Sequence, residues 1–239
     1  LSRGTHTKLH VESIPGQRQA TEHPVWSPGD SLIAYAKGGT PLGLWMYRVS
    51  DGSRRSLFES GNRRVVPTDW SHDGRTIIYT VLAGDSVPRD EIWQYDVKTR
   101  EKRLVFSSAA SVSDGQLAPG GRWLAYVSDE TGRREVYLRP YPGPGASVPI
   151  STAGGRAPRW RSDGSELFFI APGGTVMTVA TSALPHVGKA TMLFRSIAEP
   201  SESVFSVTPD GQRFLLYTPG PLANRALTVV QNWPARVNR

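Results

Sequence analysis

The sequence contains no cysteine, which excludes disulfide bonds and thiolate metal sites. A chain without cysteine suits an oxidising compartment, because mispairing cannot occur there. No apolar run approaches the roughly twenty residues that a transmembrane helix needs, so no membrane span is expected. No window keeps a helical hydrophobic period with a cap at each end, which argues against helices as the main elements.

A short phrase returns five times, and its spacing indicates the architecture. Each copy has a Gly-containing turn followed by a short apolar segment. The copies are WSPGDSLIAY from Trp26, WSHDGRTIIY from Trp70, LAPGGRWLAY from Leu117, WRSDGSELFF from Trp160 and VTPDGQRFLLY from Val207. Their starts lie 44, 47, 43 and 47 residues apart. This period is typical of propellers built from four-stranded units.

Each repeat predicts four β-strands, the innermost being the segment just before the phrase. The apolar segments predict second strands at 32–35, 76–79, 123–126, 166–169 and 214–217. Third strands are predicted at 44–49, 91–97, 135–140, 175–181 and 226–233, and fourth strands at 54–58, 102–106, 147–151 and 191–194. One or two short helical turns are the only helical structure expected.

The last repeat lacks a fourth strand, because too few residues remain after Trp233. The segment 7–13 resembles the other fourth strands and has no partners of its own. We therefore predict an all-β protein, a β-propeller of five four-stranded blades in which the N-terminal strand closes the last blade and removes its exposed edge. The alternative is a fragment of a propeller with six or more blades. Residues 1–239 are expected to form one domain.

The W-S-P-D-G phrase with its following I-A-Y or L-F-Y strand resembles the WD-like repeats of the TolB family. It is also similar to the propellers attached to bacterial receptor-like kinases and peptidases. The resemblance covers essentially the whole chain and implies a bacterial, periplasmic or otherwise extracytoplasmic β-propeller. The resemblance implies a binding role and no particular reaction, because catalytic activity depends on the specific residues of a site and not on the fold.

The net charge of +7 suggests acidic partners, but its distribution argues against nucleic acid. The basic residues are scattered through turns and form no stripe with exposed aromatic residues, as a nucleic-acid surface requires. The shared repeat position of Trp26, Trp70 and Trp160 predicts packing between blades. These tryptophans are therefore not expected to stack on bases or sugars.

Gly29-Asp30-Ser31-Leu32 spells the GDSL motif of a hydrolase family, with Ser31 as the nucleophile. Alignment of the five phrases places Ser31 in a turn, whereas a serine nucleophile needs a strand-to-helix elbow and a partner histidine. The sequence also has no G-x-S-x-G elbow and no phosphate-binding Gly-Lys-Ser or Gly-Lys-Thr loop.

Polar residues just before the phrases form the strongest candidate site. On innermost strands their side chains are expected to converge at the channel mouth; they are Glu22, His23, Asp69, Asp114, Arg156, Arg159 and Glu202. Of these, His23, Asp69, Asp114 and Glu202 are candidate metal ligands, with His72 as a neighbour. A site made of carboxylates alone suits Ca²⁺, whereas a site that includes the imidazole of His23 suits Zn²⁺ or Mn²⁺. The arginines are expected to balance the charge of the carboxylates. The alternative interpretation of all these residues is that they line a water-filled channel, which needs polar walls in any propeller.

The remaining histidines, His6, His10 and His186, are expected to be solvated or to cap turns. The leading hypothesis is a binding module that presents loops around the channel to a protein, peptide or glycan partner. The second is a metal-dependent hydrolase that cleaves esters or phosphoesters with water activated in the channel ring. Polyanion binding is a third, and would be recognised by a steep dependence on salt.

Overall fold

A computed structural model describes residues 21–38, 41–84, 88–196, 205–218 and 226–231. In these residues the secondary structure is β throughout, apart from one 3-10 turn at Pro172–Gly174. Among them, no helix has the length and apolar character required to cross a membrane. The predicted closing strand at 7–13 lies outside the described residues.

The strands form five antiparallel sheets that follow one another along the chain. Sheet 1 contains β1 (Thr21–Trp26), β2 (Leu32–Lys37), β3 (Leu42–Arg48) and β4 (Arg54–Gly61). Sheet 2 contains β5 (Val65–Trp70), β6 (Thr76–Val81), β7 (Glu91–Asp96) and β8 (Lys102–Phe106). Sheet 3 contains β9 (Val112–Leu117), β10 (Trp123–Ser128), β11 (Glu135–Pro140) and β12 (Val148–Pro149).

Sheet 4 contains β13 (Arg156–Trp160), β14 (Glu166–Ala171), β15 (Thr175–Ala180) and β16 (Thr191–Arg195). Sheet 5 has three described strands, β17 (Phe205–Val207), β18 (Arg213–Thr218) and β19 (Ala226–Gln231). The first strand of each sheet contacts the first strand of the next, from β1 through β5, β9 and β13 to β17. These strands are the innermost ones, as the repeat predicts.

The turn of the phrase has the same hydrogen bonds in every sheet. The amide of the phrase's second residue donates to the carbonyl of its seventh residue, as from Ser71 N to Thr76 O at 2.8 Å. The fifth residue donates back to the second, as from Gly74 N to Ser71 O at 2.8 Å. That fifth residue is a glycine with positive φ in four phrases, whereas in the first it is Asp30 with φ 52°. The tight turn thus explains the repeated glycine.

The core lies between neighbouring sheets and is supplied mainly by the second strands. Adjacent residues of β6 point to opposite faces: Ile77 packs in the cluster between sheets 1 and 2, and Ile78 in the cluster between sheets 2 and 3. Phe168 and Phe169 of β14 divide in the same way between the neighbours of sheet 4. Each strand is buried on both faces, which explains its continuous apolar sequence. Burial of one such side chain stabilises the fold by about 1.5–3 kcal/mol.

The innermost strands of sheets 1 to 4 carry a β-bulge just before the phrase. In three of these sheets a residue at the bulge has a left-handed backbone: His23 with φ 55°, Asp114 with φ 57° and Ala157 with φ 52°. Such a φ is uncommon outside glycine. A bulge changes the direction in which the following side chains point. In these strands, the regular alternation of side chains between the two faces therefore does not determine which residues point into the channel.

Candidate functional site

The repeated phrases of sheets 1 to 4 meet at one end of the innermost strands and enclose a cavity of about 190 Å³. Seven of its eight lining residues occupy the first or third position of a phrase. The lining consists of Trp26, Pro28, Asp69, Trp70, His72, Leu117, Pro119 and Ser162. We call this cavity the phrase mouth. Two tryptophans, two prolines and Leu117 are its apolar residues, and Asp69, His72 and Ser162 supply its polar side chains.

The three phrase tryptophans do not share one environment. Trp70 is 6% exposed and donates from Nε1 to Gly74 O (3.0 Å), and Trp160 donates to Gln116 O of the preceding sheet (3.1 Å). Trp26 is instead 51% exposed, so its predicted role in packing between blades is wrong. The two inner tryptophans pack on the sheet before their own, and no described sheet precedes sheet 1. Trp26 therefore presents an aromatic surface at the rim of the phrase mouth.

Asp69 is the acidic residue of the phrase mouth. Its Oδ2 accepts a hydrogen bond from the amide of Leu117 in the next sheet (2.6 Å). Burial raises the pKa of Asp69 from 3.8 to about 6, although the amides of Leu117 and Trp70 and the charge of Arg159 favour the ionised form. Asp69 therefore joins sheets 2 and 3 and also changes charge at mildly acidic pH.

Asp114 and Arg159 form an ion pair between the innermost strands of sheets 3 and 4. Arg159 Nη1 lies 3.6 Å from Asp114 Oδ1, and both side chains are 21% exposed. Arg159 Nε also donates to Phe205 O of sheet 5 (3.0 Å). The arginine thus links three sheets and balances a carboxylate, as the sequence predicts for one of the two candidate arginines.

The structure distributes the other predicted residues along the innermost strands. His23 lies at the bulge of β1 and is partly buried, and Glu22 precedes it in the same strand. Arg156 begins β13 and lines a different cavity, at the end of that strand opposite the phrase mouth. Glu202 lies outside the described residues.

Within the described ranges, no group of three or more histidine, aspartate or glutamate residues has the arrangement of a metal site. Asp69 is hydrogen-bonded to a backbone amide and Asp114 is paired with Arg159. The four-residue metal site, and any Ca²⁺, Zn²⁺ or Mn²⁺ in it, stays a prediction. Its fourth residue, Glu202, and the side chain of Glu22 are not described.

The other residues considered for chemistry lie in turns. Ser31 is exposed in the turn before β2, in agreement with its alignment. His186 donates its backbone amide to Ala183 O (3.0 Å) in the connection between β15 and β16. His6 and His10 lie outside the described residues. The sequence interpretation missed Pro28, Pro119 and Ser162 of the phrase mouth, although their common third position in the phrase was a usable signal.

The five sheets, arranged with their innermost strands in succession, define a β-propeller. The sequence matches no protein-family model. Among solved structures, TolB from Acinetobacter baumannii is similar with a TM-score of 0.74 at 20% identity, over 90% of this chain and 52% of that chain. The fold is thus that of a TolB-like β-propeller, and the chain spans about half the length of that TolB.

Two other propeller structures are similar at lower identity. A chain of a nidogen/laminin complex has a TM-score of 0.64 at 13% identity, over 90% of this chain and 76% of that chain. An oligogalacturonate lyase in complex with manganese has a TM-score of 0.63 at 14% identity, over 89% of this chain and 62% of that chain. Identities this low establish the fold alone.

Proposed function

We propose that the chain is a binding module that holds a protein partner at the phrase mouth. The observation that carries this proposal is the exposed ring of Trp26 beside the polar groups of Asp69 and His72 in one cavity. Exposed aromatic residues next to a few polar groups are typical of the energetic centre of protein interfaces. A peptide segment or a glycan of the partner could present the contacting group.

The use of the central polar residues supports binding over catalysis. Asp69 accepts a backbone amide, and Arg159 pairs with Asp114 and joins a third sheet. These contacts hold neighbouring sheets together, whereas Trp26 of the first phrase stays exposed at the phrase mouth. The likeness to a propeller in a nidogen/laminin complex is compatible with a protein partner. We also propose an extracytoplasmic location and a single propeller domain over residues 1–239.

The experiment is site-specific photo-crosslinking in the organism that encodes the chain. Trp26 is replaced by benzoylphenylalanine, and the matched control carries the same residue at Met192 of β16. Met192 is a suitable control because it is also a large apolar residue, 56% exposed, and lies on the outermost strand of sheet 4. Adducts are identified by mass spectrometry.

A discrete protein adduct from position 26 that is absent from position 192 supports the proposal. Truncation of the same residue, Trp26→Ala, should then weaken the purified complex by about tenfold or more, as expected for an exposed aromatic residue at an interface centre. Equal adducts from both positions, or none from position 26, would contradict it. Turnover of an ester that a chelator abolishes would favour the hydrolase instead.

A further inference from the structure

The phrase mouth presents an unused hydrogen-bond donor on an exposed aromatic ring. Trp70 and Trp160 donate from Nε1 to Gly74 O and Gln116 O, so backbone carbonyls of the propeller itself take up both indole donors. Trp26 is 51% exposed, and among the described residues none accepts a hydrogen bond from its Nε1. A buried indole N–H usually has an acceptor. A ligand that covers Trp26 should therefore supply one.

The charge at the phrase mouth favours a neutral ligand. Asp69 Oδ2 already accepts the amide of Leu117 (2.6 Å). Burial raises the pKa of Asp69 to about 6, while the charge of Arg159 favours the ionised form. The carboxylate is thus neutral in part at mildly acidic pH and faces a cation of its own chain when ionised. Apart from His72, the lining residues that the structure describes contain no other ionisable side chain. Charge complementarity therefore does not call for an ionic ligand.

The apolar part of the wall suits a segment of a protein better than a sugar. Five of the eight lining residues are apolar, namely Trp26, Pro28, Trp70, Leu117 and Pro119. Sugar hydroxyls against this wall would lose water and gain few partners, which costs free energy. The hydroxyl of Ser162 already donates to Pro209 O (2.8 Å). The cavity volume of about 190 Å³ is also below the roughly 300–1,000 Å³ of pockets that enclose a small molecule. The cavity therefore fits one short apolar part of a larger ligand.

We propose that the phrase mouth binds a proline-containing segment of the partner in the polyproline II conformation, a proposal that rests on the proposed function because it identifies what the partner presents. A polyproline II segment has no internal hydrogen bonds, so its carbonyls need donors from elsewhere. Proline has no N–H and needs no acceptor from the wall. Trp26 supplies both a ring for the proline and a donor for a carbonyl. Aromatic-lined grooves bind such segments because their conformation is already formed.

The test is titration of the full chain with acetylated and amidated decaproline, followed by the indole N–H signals in NMR spectra. The matched peptide alternates glycine and serine at the same length, and is flexible. Trp26→Phe identifies the Trp26 signal by its loss; this variant keeps an aromatic ring and removes the donor. The matched variant is Trp123→Phe, which alters a partly buried indole that packs between sheets 3 and 4 and does not line the phrase mouth. Thermal unfolding establishes that each variant is folded; if Trp123→Phe does not fold, Trp26→Phe and the matched peptide decide.

We expect a saturable downfield shift of the Trp26 indole proton with decaproline and none with the glycine-serine peptide. The affinity for decaproline should fall by about threefold to tenfold in Trp26→Phe, as the loss of one hydrogen bond predicts. Trp123→Phe should bind decaproline like the unaltered chain. Absence of a saturable shift, an equal response to both peptides, or an equal loss in Trp123→Phe would overturn the proposal.

Failure of this proposal can be distinguished from failure of the proposed function. A protein adduct from position 26 without binding of decaproline would exclude the proline-containing segment and leave the partner site in place. An adduct that maps to a glycan, or to a partner segment without proline, would do the same. Saturable binding of decaproline without any adduct from position 26 would support the peptide site and contradict the protein partner.

Discussion

Replacement of Asp69 by asparagine should remove a pH dependence from the stability of the fold. The pKa of Asp69 is raised from 3.8 to about 6, so between these values the folded chain binds a proton that the unfolded chain releases. The folded state therefore loses stability as pH rises through this window. Asparagine stays neutral, and its carbonyl oxygen can still accept the amide of Leu117.

The size of the effect follows from the shift. At about 1.36 kcal/mol per pKa unit, the ionised carboxylate costs up to about 3 kcal/mol well above pH 6. About 2 kcal/mol of this cost develops between pH 4 and pH 7 according to the linkage relation. Residual access of water to the partly buried side chain reduces this value.

The assay is urea denaturation of the unaltered chain and of Asp69→Asn at several pH values from 4 to 7. The difference between their free energies of unfolding should grow by about 2 kcal/mol in favour of the variant as the pH rises. Asp73→Asn is the control, because hydrogen bonds from Ser71 and Arg75 lower the pKa of exposed Asp73. Its difference should not grow in that direction. A constant difference for Asp69→Asn, or one that shrinks, would refute the reasoning.

Two substitutions and one metal analysis test other parts of the structure. Asp30→Gly should raise the free energy of unfolding by about 0.5–1 kcal/mol, because it relieves a left-handed aspartate; unchanged or lower stability in urea would contradict this. Glu135→Ala should lower the free energy of unfolding by about 2–4 kcal/mol, because the buried amide of Gly154 and the hydroxyl of Ser151 lose their acceptor. A loss under about 1 kcal/mol, the value of an ordinary exposed ion pair, would contradict this. If the predicted cation site exists, purified protein contains stoichiometric metal that His23→Ala and Asp114→Ala remove; metal-free protein that takes up no cation on dialysis would exclude it.

The repeat predicts the strands well because burial on both faces leaves a clear pattern. The predicted second strand at 76–79 lies inside Thr76–Val81, and the third at 135–140 coincides with Glu135–Pro140. The recurrence of glycine at one position of the phrase also predicts a tight turn there, and the glycine has a positive φ in four of the five phrases. The predicted closure by 7–13 falls outside the described residues and stays a prediction.

The candidate site was harder to predict because bulges interrupt the innermost strands. Residues three positions before the phrase, such as His23 and Asp114, have left-handed backbones that sequence alternation does not reveal. A strand that runs along the channel also separates residues close in sequence: Arg156 begins β13, whereas Ser162 lies in the turn that follows its other end. The exposure of Trp26 depends on which sheet precedes its own, a tertiary fact that the local sequence does not contain.

Hydrogen-exchange mass spectrometry of the chain with its crosslinked partner protein tests the central claim most directly. Binding at the phrase mouth predicts slower exchange in the phrase turns, above all at 26–31, 70–75 and 117–122. The loops at the opposite end, at 129–134 and 150–155, should exchange as in the free chain. Protection confined to those opposite loops, or to the outermost strands, would contradict the account.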